Sequence, residues 1–314
     1  MSGIDGGDGT QPDTAPESAR PTAALVATEL PVLLNPGSGT GDPHELADHL
    51  RRELPQARPE ILGAGDDLEQ RLEQLASSHD ALGISGGDGS VAAAAQAALR
   101  HDIPLAVLPG GTLNHFATAI GITDFDSGVE CVRAGSLRTV DAATIDGHVF
   151  LNIVGLGVWA DFVRVREELD GRIGKKLGSV IAALRVVRRR RQISVTVDGR
   201  PVRAWMIFIG NCQFHEGGFD PLARDHFDDG TFDVRIAEAG RGSFVHALRV
   251  LLARSRGEAT YGRGYMRYST REVTITTSRD AEPIVFDGEV RAASQRSLVI
   301  TKHDRPLRVF APLT

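Results

Sequence analysis

The apolar positions of the chain follow two rhythms, one after the other. Between residues 30 and 120, short unbroken apolar runs alternate with stretches in which apolar residues recur every three or four positions. The runs at 30–34, 81–85 and 105–108 predict buried strands, and the spacing over 45–54, 67–77, 91–100 and 114–120 predicts helices. Strand and helix taking turns predict a parallel sheet covered by helices on both faces, with ligands bound at the carboxyl ends of the strands. Each predicted strand ends in a glycine-rich loop: Asn35-Pro36-Gly37-Ser38-Gly39, Ser85-Gly86-Gly87-Asp88-Gly89-Ser90 and Pro109-Gly110-Gly111-Thr112-Leu113-Asn114-His115.

Beyond about Arg138 the pattern changes to short strand-like runs at 142–145, 149–153, 193–197, 202–209, 232–237, 273–276 and 298–301. These predict an antiparallel β domain whose strands are joined by turns, and Asp146-Gly147 and Asp198-Gly199 read as hairpin turns. Helical spacing returns over 162–191 and 244–254. Residues 1–28 are rich in Gly, Pro, Ser, Thr and Asp with no apolar period, which predicts a disordered tail. Within it, Gly6-Gly7-Asp8-Gly9-Thr10 imitates a phosphate loop without a strand before it.

With 314 residues the chain has room for two domains, each with its own core. No uncharged apolar run approaches the roughly 20 residues of a membrane-spanning helix. Lys and Arg total 35 against 41 Asp and Glu, so the net charge is 35 − 41 = −6, which argues against a nucleic-acid partner. Two cysteines, Cys131 and Cys212, are too few for a disulfide framework, and no export signal is recognisable; a reducing cytoplasm is the expectation.

In the second glycine loop, successive backbone N–H groups and the positive end of the following helix form an anion cradle, and phosphate is its natural guest. Asp88 would repel a phosphate unless Mg²⁺ stands between them or the carboxylate serves as a base. Thr112 reads as a helix cap or a nucleotide contact, and the Asn35 loop as a third wall of the same crevice or a simple turn. Asp228-Asp229-Gly230 and Asp287-Gly288-Glu289 each add a carboxylate to a hairpin signal, as turns or as metal or base sites. From Arg164 to Arg191 there are ten Lys and Arg against three Asp and Glu, a local charge of 10 − 3 = +7 that calls for an anionic partner or a solvated face.

In this order, Asn35-Pro36 with Ser38-Gly39, Gly86-Gly87-Asp88-Gly89, Pro109 to Asn114, and Asp287-Gly288-Glu289 resemble the diacylglycerol kinase catalytic-domain family, which includes bacterial soluble lipid kinases and sphingosine kinases. The resemblance runs from about Leu30 to the C-terminus through Leu151-Asn152-Ile153, Gly155-Leu156-Gly157 and Ile209-Gly210-Asn211. It implies a nucleotide-binding α/β domain of residues 29–137 plus 305–314, whose last strand returns at 307–310. The remaining residues, 138–304, would form a β-sandwich lipid-binding domain. The family implies that Asn35, Pro36, Gly37, Ser38, Gly39, Gly86, Gly87, Asp88, Gly89, Ser90, Thr112 and Asn114 hold ATP. It also implies Glu289 or Asp88 as general base, and Mg²⁺ on Asp229 with the backbone carbonyls of His226 and Thr231. Three positions depart from the family: Ser90 stands for a threonine, His115 for an aspartate, and no threonine is present near Gly63.

The resemblance therefore predicts ATP-dependent phosphorylation of a lipid hydroxyl, that of diacylglycerol first. The protein would be cytoplasmic and would dock peripherally on an anionic membrane surface through Arg188, Arg189, Arg190 and Arg191; a homodimer is compatible with it. One rival reading is a soluble-metabolite kinase such as NAD kinase, which shares Gly-Gly-Asp-Gly but is not expected to carry Asp287-Gly288-Glu289. Another is a lipid- or nucleotide-binding regulator without turnover, for which His115 speaks.

Overall fold

The computed structural model describes residues 29–38, 41–173, 181, 185–186, 191–215, 224, 226–240, 264–280 and 282–313. The tail, Gly39, the predicted helix at 244–254, most of the basic stretch after residue 173, and Arg188, Arg189 and Arg190 lie outside them.

The first half alternates as its pattern demands: β1 (Leu30–Leu34), α1 (Pro43–Glu53), β2 (Ala57–Ile61), α2 (Leu68–Ala76), β3 (Leu82–Gly86), α3 (Asp88–His101), β4 (Leu105–Pro109), α4 (His115–Ala119), α5 (Phe125–Ala134) and β5 (Leu137–Val140). Local chemistry sets the helix starts. Asp42 accepts from the His44 N–H ahead of Pro43, Asp67 accepts from Gln70, and Asp124 forms a reciprocal capping box with Ser127. The strands β1, β3 and β4 are buried and form the middle of a six-stranded sheet, ordered β2-β1-β3-β4-β17-β5, in which β17 is Leu307–Phe310. All neighbours run parallel except β17 and β5. The strand β5 straddles the expected boundary between residues 137 and 138, belonging to this first sheet through Val140.

The second half contributes β6 (Ala143–Ile145), β7 (His148–Phe150), β8 (Ile153–Gly157), α6 (Val158–Ile173), β9 (Ile193–Val197), β10 (Arg200–Asn211), β11 (Phe232–Glu238), β12 (Tyr265–Thr270), β13 (Glu272–Thr277), β14 (Pro283–Phe286), β15 (Glu289–Ala292) and β16 (Ser297–Lys302). They pair antiparallel in a single sheet of 11 strands. The long β10 pairs with β9 through its first half and with β8 through its second, with an irregularity at Ala204/Met206 in its pairing with β11. Residues of β6, β8, β9, β10, β11, β13, β14 and β16 share one buried cluster, which requires the sheet to curl over its own core. The predicted run at 149–153 is divided between β7 and β8, because a turn at residues 151–152 interrupts it. At Asp146-Gly147, Asp198-Gly199 and Asp287-Gly288 both residues have positive φ, the mark of tight hairpins.

Candidate active site

The three glycine loops follow β1, β3 and β4, which are adjacent in the first sheet, so they meet at one edge. Hydrogen bonds sew them together. The Asn35 amide donates to Ser90 Oγ at 2.9 Å, and the Gly110 N–H donates to the Gly86 carbonyl at 3.1 Å. A Cβ on Gly111 would stand 2.4 Å from the Gly87 Cα, so the backbones of the second and third loops touch. Asp88, the first residue of α3, accepts the His115 N–H at 3.1 Å on Oδ2 and the Phe116 N–H at 3.0 Å on Oδ1. Its carboxylate thus ties the start of α3 to the start of α4. Asn114 turns back on its own loop: Oδ1 accepts from Gly111 N at 2.9 Å and Nδ2 donates to Gly111 O at 2.8 Å.

Beside these loops lies a cleft of about 690 Å³. One wall is the start of α2 (Asp67, Leu68 and Glu69) and the exposed side of α3 down to Gln96; the other is His148 and Val149 of β7 with the β14–β15 hairpin. Gln96 Oε1 accepts the Val149 N–H at 3.2 Å and fastens the walls at the floor. Of the residues expected at the nucleotide, Asn35, Gly37, Gly87, Gly89 and Ser90 line this cleft together with Glu289 and Arg291. Asn35 and Pro36 also border a smaller recess of about 200 Å³ toward α1 and α5. Ser38, Gly86, Asp88, Thr112 and Asn114 line neither cavity.

Glu289 opens β15, and its side chain is 49% exposed. Its carboxylate rests against the Cα of Gly89, where an added Cβ would meet Oε1 at 1.9 Å. Arg291 Nη2 donates to Glu289 Oε2 at 3.1 Å, and the same guanidinium lies over the Phe286 ring at 4.9 Å. Neither Arg291 nor the α2 carboxylates stood out in the sequence, where isolated charges in a strand or at a helix start read as solvent-facing.

Asp287 plays a different part from its neighbour. It is buried, with Oδ2 accepting the Leu151 N–H at 2.6 Å and Oδ1 accepting those of Asn152 at 2.8 Å and Ile153 at 3.2 Å. Burial pushes its carboxyl up to about 7, against the pull of these three N–H donors, and the negative charge of Asp88 adds to the rise. From the other side, buried Arg224 donates to the carbonyls of Leu151 and Asn211, each at 3.0 Å, and to Asn152 Oδ1 at 2.8 Å. Burial lowers this guanidinium to about 10. The turn at residues 151–153 is therefore gripped through both its N–H and its C=O groups. Its grip fixes the hairpin that presents Glu289. Only an arginine between Ala223 and Asp225 announced Arg224 in the sequence, with no pattern around it.

The divalent-cation site expected at Asp229, His226 and Thr231 is differently furnished. Asp229 Oδ1 accepts from Thr231 N at 2.8 Å and Thr231 Oγ1 at 2.9 Å, and Oδ2 accepts from Gln213 N at 2.8 Å. The Thr231 carbonyl accepts from Cys212 N at 3.0 Å, and His226 is exposed. Three of the four lone-pair sites of the Asp229 carboxylate are taken. Nearby, Asp141 carries an ion pair with Lys302 at 3.0 Å, so a positive charge is already in place. This donor set does not fit a divalent ion.

Arg191, one of the four arginines expected at a membrane surface, has partners within the chain. Its guanidinium is 2.6 Å from buried Glu282 and 3.4 Å from buried Asp161, so its charge is engaged by two carboxylates of the chain itself. No described helix is long and apolar enough to cross a membrane.

Residues 29–145 match the family model for the diacylglycerol kinase catalytic domain. The diacylglycerol kinase of Bacillus subtilis strain 168 is 26% identical over 237 residues, covering 72% of this chain and 76% of that protein. A Pseudomonas fluorescens protein named "Probable lipid kinase YegS-like" is 29% identical over 259 residues, 79% of this chain and 83% of its own. A solved diacylglycerol kinase from Bacillus anthracis strain Sterne shares the fold, with a TM-score of 0.67 at 18% identity over 91% of this chain and 97% of that one. The matched stretch carries β1 to β6 and all three glycine loops, and those loops close on one crevice backed by a curled antiparallel sheet; over that stretch the chain is similar to the diacylglycerol kinase catalytic domain, and over most of its length to proteins named diacylglycerol kinase and lipid kinase.

Proposed function

We propose that the protein transfers the γ-phosphate of ATP to a lipid hydroxyl, with diacylglycerol as acceptor, in the cleft beside its glycine loops. On this reading residues 29–137 and 305–314 hold the nucleotide, and residues 138–304 hold the lipid. The observation that carries it is the seating of the half-exposed Glu289 carboxylate on Gly89, next to the N–H groups that open α3. There it stands where a proton acceptor for the attacking hydroxyl is needed, whereas both oxygens of Asp88 already receive backbone N–H bonds. Glu289 is thus assigned the general base, and Asp88 the positioning of the two loops.

The N–H groups of residues 87–89 and the positive end of α3 orient the phosphates. Glu289 takes the proton of the lipid hydroxyl, whose oxygen forms the new bond to the γ-phosphorus as the bond to the β–γ bridging oxygen breaks; ADP leaves with the electron pair. A magnesium ion bound with the nucleotide phosphates would offset their charge and leave Glu289 free to accept the proton. Arg291 adds positive charge to the same cleft.

Radiolabelled ATP offered with diacylglycerol in vesicles and with a panel of soluble alcohols, NAD included, tests the reading. Label is expected in the lipid. Glu289→Gln should lower kcat by roughly 10²- to 10⁴-fold with little change in the KM for ATP. Label in NAD alone would replace the lipid reading with that of a soluble-metabolite kinase, and an unimpaired Glu289→Gln enzyme would move the base elsewhere.

A further inference from the structure

Where the chain passes from the first sheet to the second, Asp141, Cys212 and Asp229 bring one ligand-type atom each within 4.8 Å of one another. Family resemblance places a divalent ion on Asp229 here. We propose that Lys302 is the resident cation of this cluster, so that the junction is neutralised by the chain's own ammonium and needs no metal ion.

Lys302, the last residue of β16, is 15% exposed. Its Nζ lies 2.6 Å from Asn211 Oδ1, 3.0 Å from Asp141 Oδ2 and 3.6 Å from Cys212 Sγ, and it sits 4.9 Å from the centre of the Phe232 ring. Three ammonium protons therefore have an amide oxygen, a carboxylate and a thiol to point at, with an aromatic face alongside. Other acceptors of the cluster already carry donors. Asp141 Oδ2 also takes the Gly230 N–H at 2.8 Å, the Asp229 oxygens take three donors, and the Thr231 carbonyl takes the Cys212 N–H. A divalent ion would have to displace these donors and settle beside a fixed positive charge, which disfavours it on both counts.

The cluster is not isolated from the cleft. Asn211, whose Oδ1 receives the ammonium, donates through Nδ2 to the carbonyls of Asp141 at 2.8 Å and Leu151 at 3.0 Å. Leu151 belongs to the turn that Asp287 holds. The ammonium thus does for the Glu289 hairpin what a structural metal would do, whether or not the acceptor is a lipid.

The full chain, dialysed against magnesium and then desalted, is assayed for bound divalent metal by elemental analysis, and its thermal midpoint is compared in EDTA and in magnesium or manganese. The wild type is expected to carry no stoichiometric ion that depends on Asp229 and to melt at the same temperature in both. Lys302→Met should melt lower in EDTA and regain stability when manganese is added, with the manganese EPR signal of the bound ion lost in Lys302→Met/Asp229→Asn. An ion retained by the wild type and lost in Asp229→Asn, or a wild-type midpoint that falls in EDTA, would overturn the proposal. So would a Lys302→Met protein as stable as wild type in EDTA. Should that variant not fold, the wild-type metal content and midpoint decide alone.

Discussion

One absent methyl group sets the place of Glu289. A Cβ at Gly89 would meet Glu289 Oε1 at 1.9 Å and Cδ at 2.8 Å, so any side chain there pushes the carboxylate off the glycine loop. Gly89 has no positive φ and is the second residue of a helix, where alanine is preferred by up to about 1 kcal/mol. Gly89→Ala is therefore expected to melt at the wild-type temperature or slightly above it, while phosphotransfer falls about 10²-fold from misplacement of the base. Melting and turnover measured on one preparation check it, and retained turnover would place the base away from Gly89. The Gly-Gly-Asp-Gly string itself was legible, because glycines crowded around a carboxylate at a strand end have few other uses. The employment of Asp88 was not. Its partners, His115 and Phe116, are 27 and 28 residues away, and nothing in the local string points to them.

At the scale of elements, the hairpin of β14 and β15 is held to the turn at residues 151–153 by a carboxylate whose folded-state pKa is raised to about 7. A carboxyl raised in the folded state favours folding most below its unfolded pKa near 4, and that contribution fades as pH climbs through 7. Asp287→Asn keeps an acceptor oxygen but has no titration of its own. Wild-type stability should thus fall relative to Asp287→Asn, by on the order of a few kcal/mol, as pH rises from 4 to 8. Parallel thermal melts across that range read the difference, and a pH-independent gap would show that Asp287 is ionised throughout. The central strands β1, β3 and β4 could be read directly because they are apolar on both faces. The edge strands β2, β5, β12 and β15 could not: β2 is Ala-Arg-Pro-Glu-Ile, and β15 is a four-residue strand with two charges. Edge strands bury too little to show an apolar pattern, and the charges that guard them look like loop.

For the whole molecule, Arg191 joins the basic stretch to carboxylates of the second half. Arg191 is bound between Asp161 and Glu282; its loss takes the arginine from buried Glu282, whereas Asp161 keeps Arg164 at 3.4 Å, so Arg191→Gln should cost about 3 kcal/mol in a thermal or denaturant melt. Changing Arg188, Arg189 and Arg190 together to Gln tests the membrane-docking reading separately. On the membrane-docking proposal, the triple change weakens sedimentation with anionic vesicles by about 1 kcal/mol per charge. Equal sedimentation of triple variant and wild type would leave the stretch without a membrane role. The two-sheet plan was legible from the switch in rhythm near Arg138, but its joints were not, since Arg224, Asn211 and Lys302 act on partners drawn from distant segments. The strand β17 is one such joint, lying between β4 and β5 although the entire second sheet separates it from both in the chain. In order of synthesis, the sheet that leaves the ribosome first is the last to close. Until residues 307–310 emerge, the apolar edge of β4 waits without its neighbour while some 160 residues of the other sheet are made, so the nascent chain's need for chaperone cover should peak near the end of translation rather than at its start.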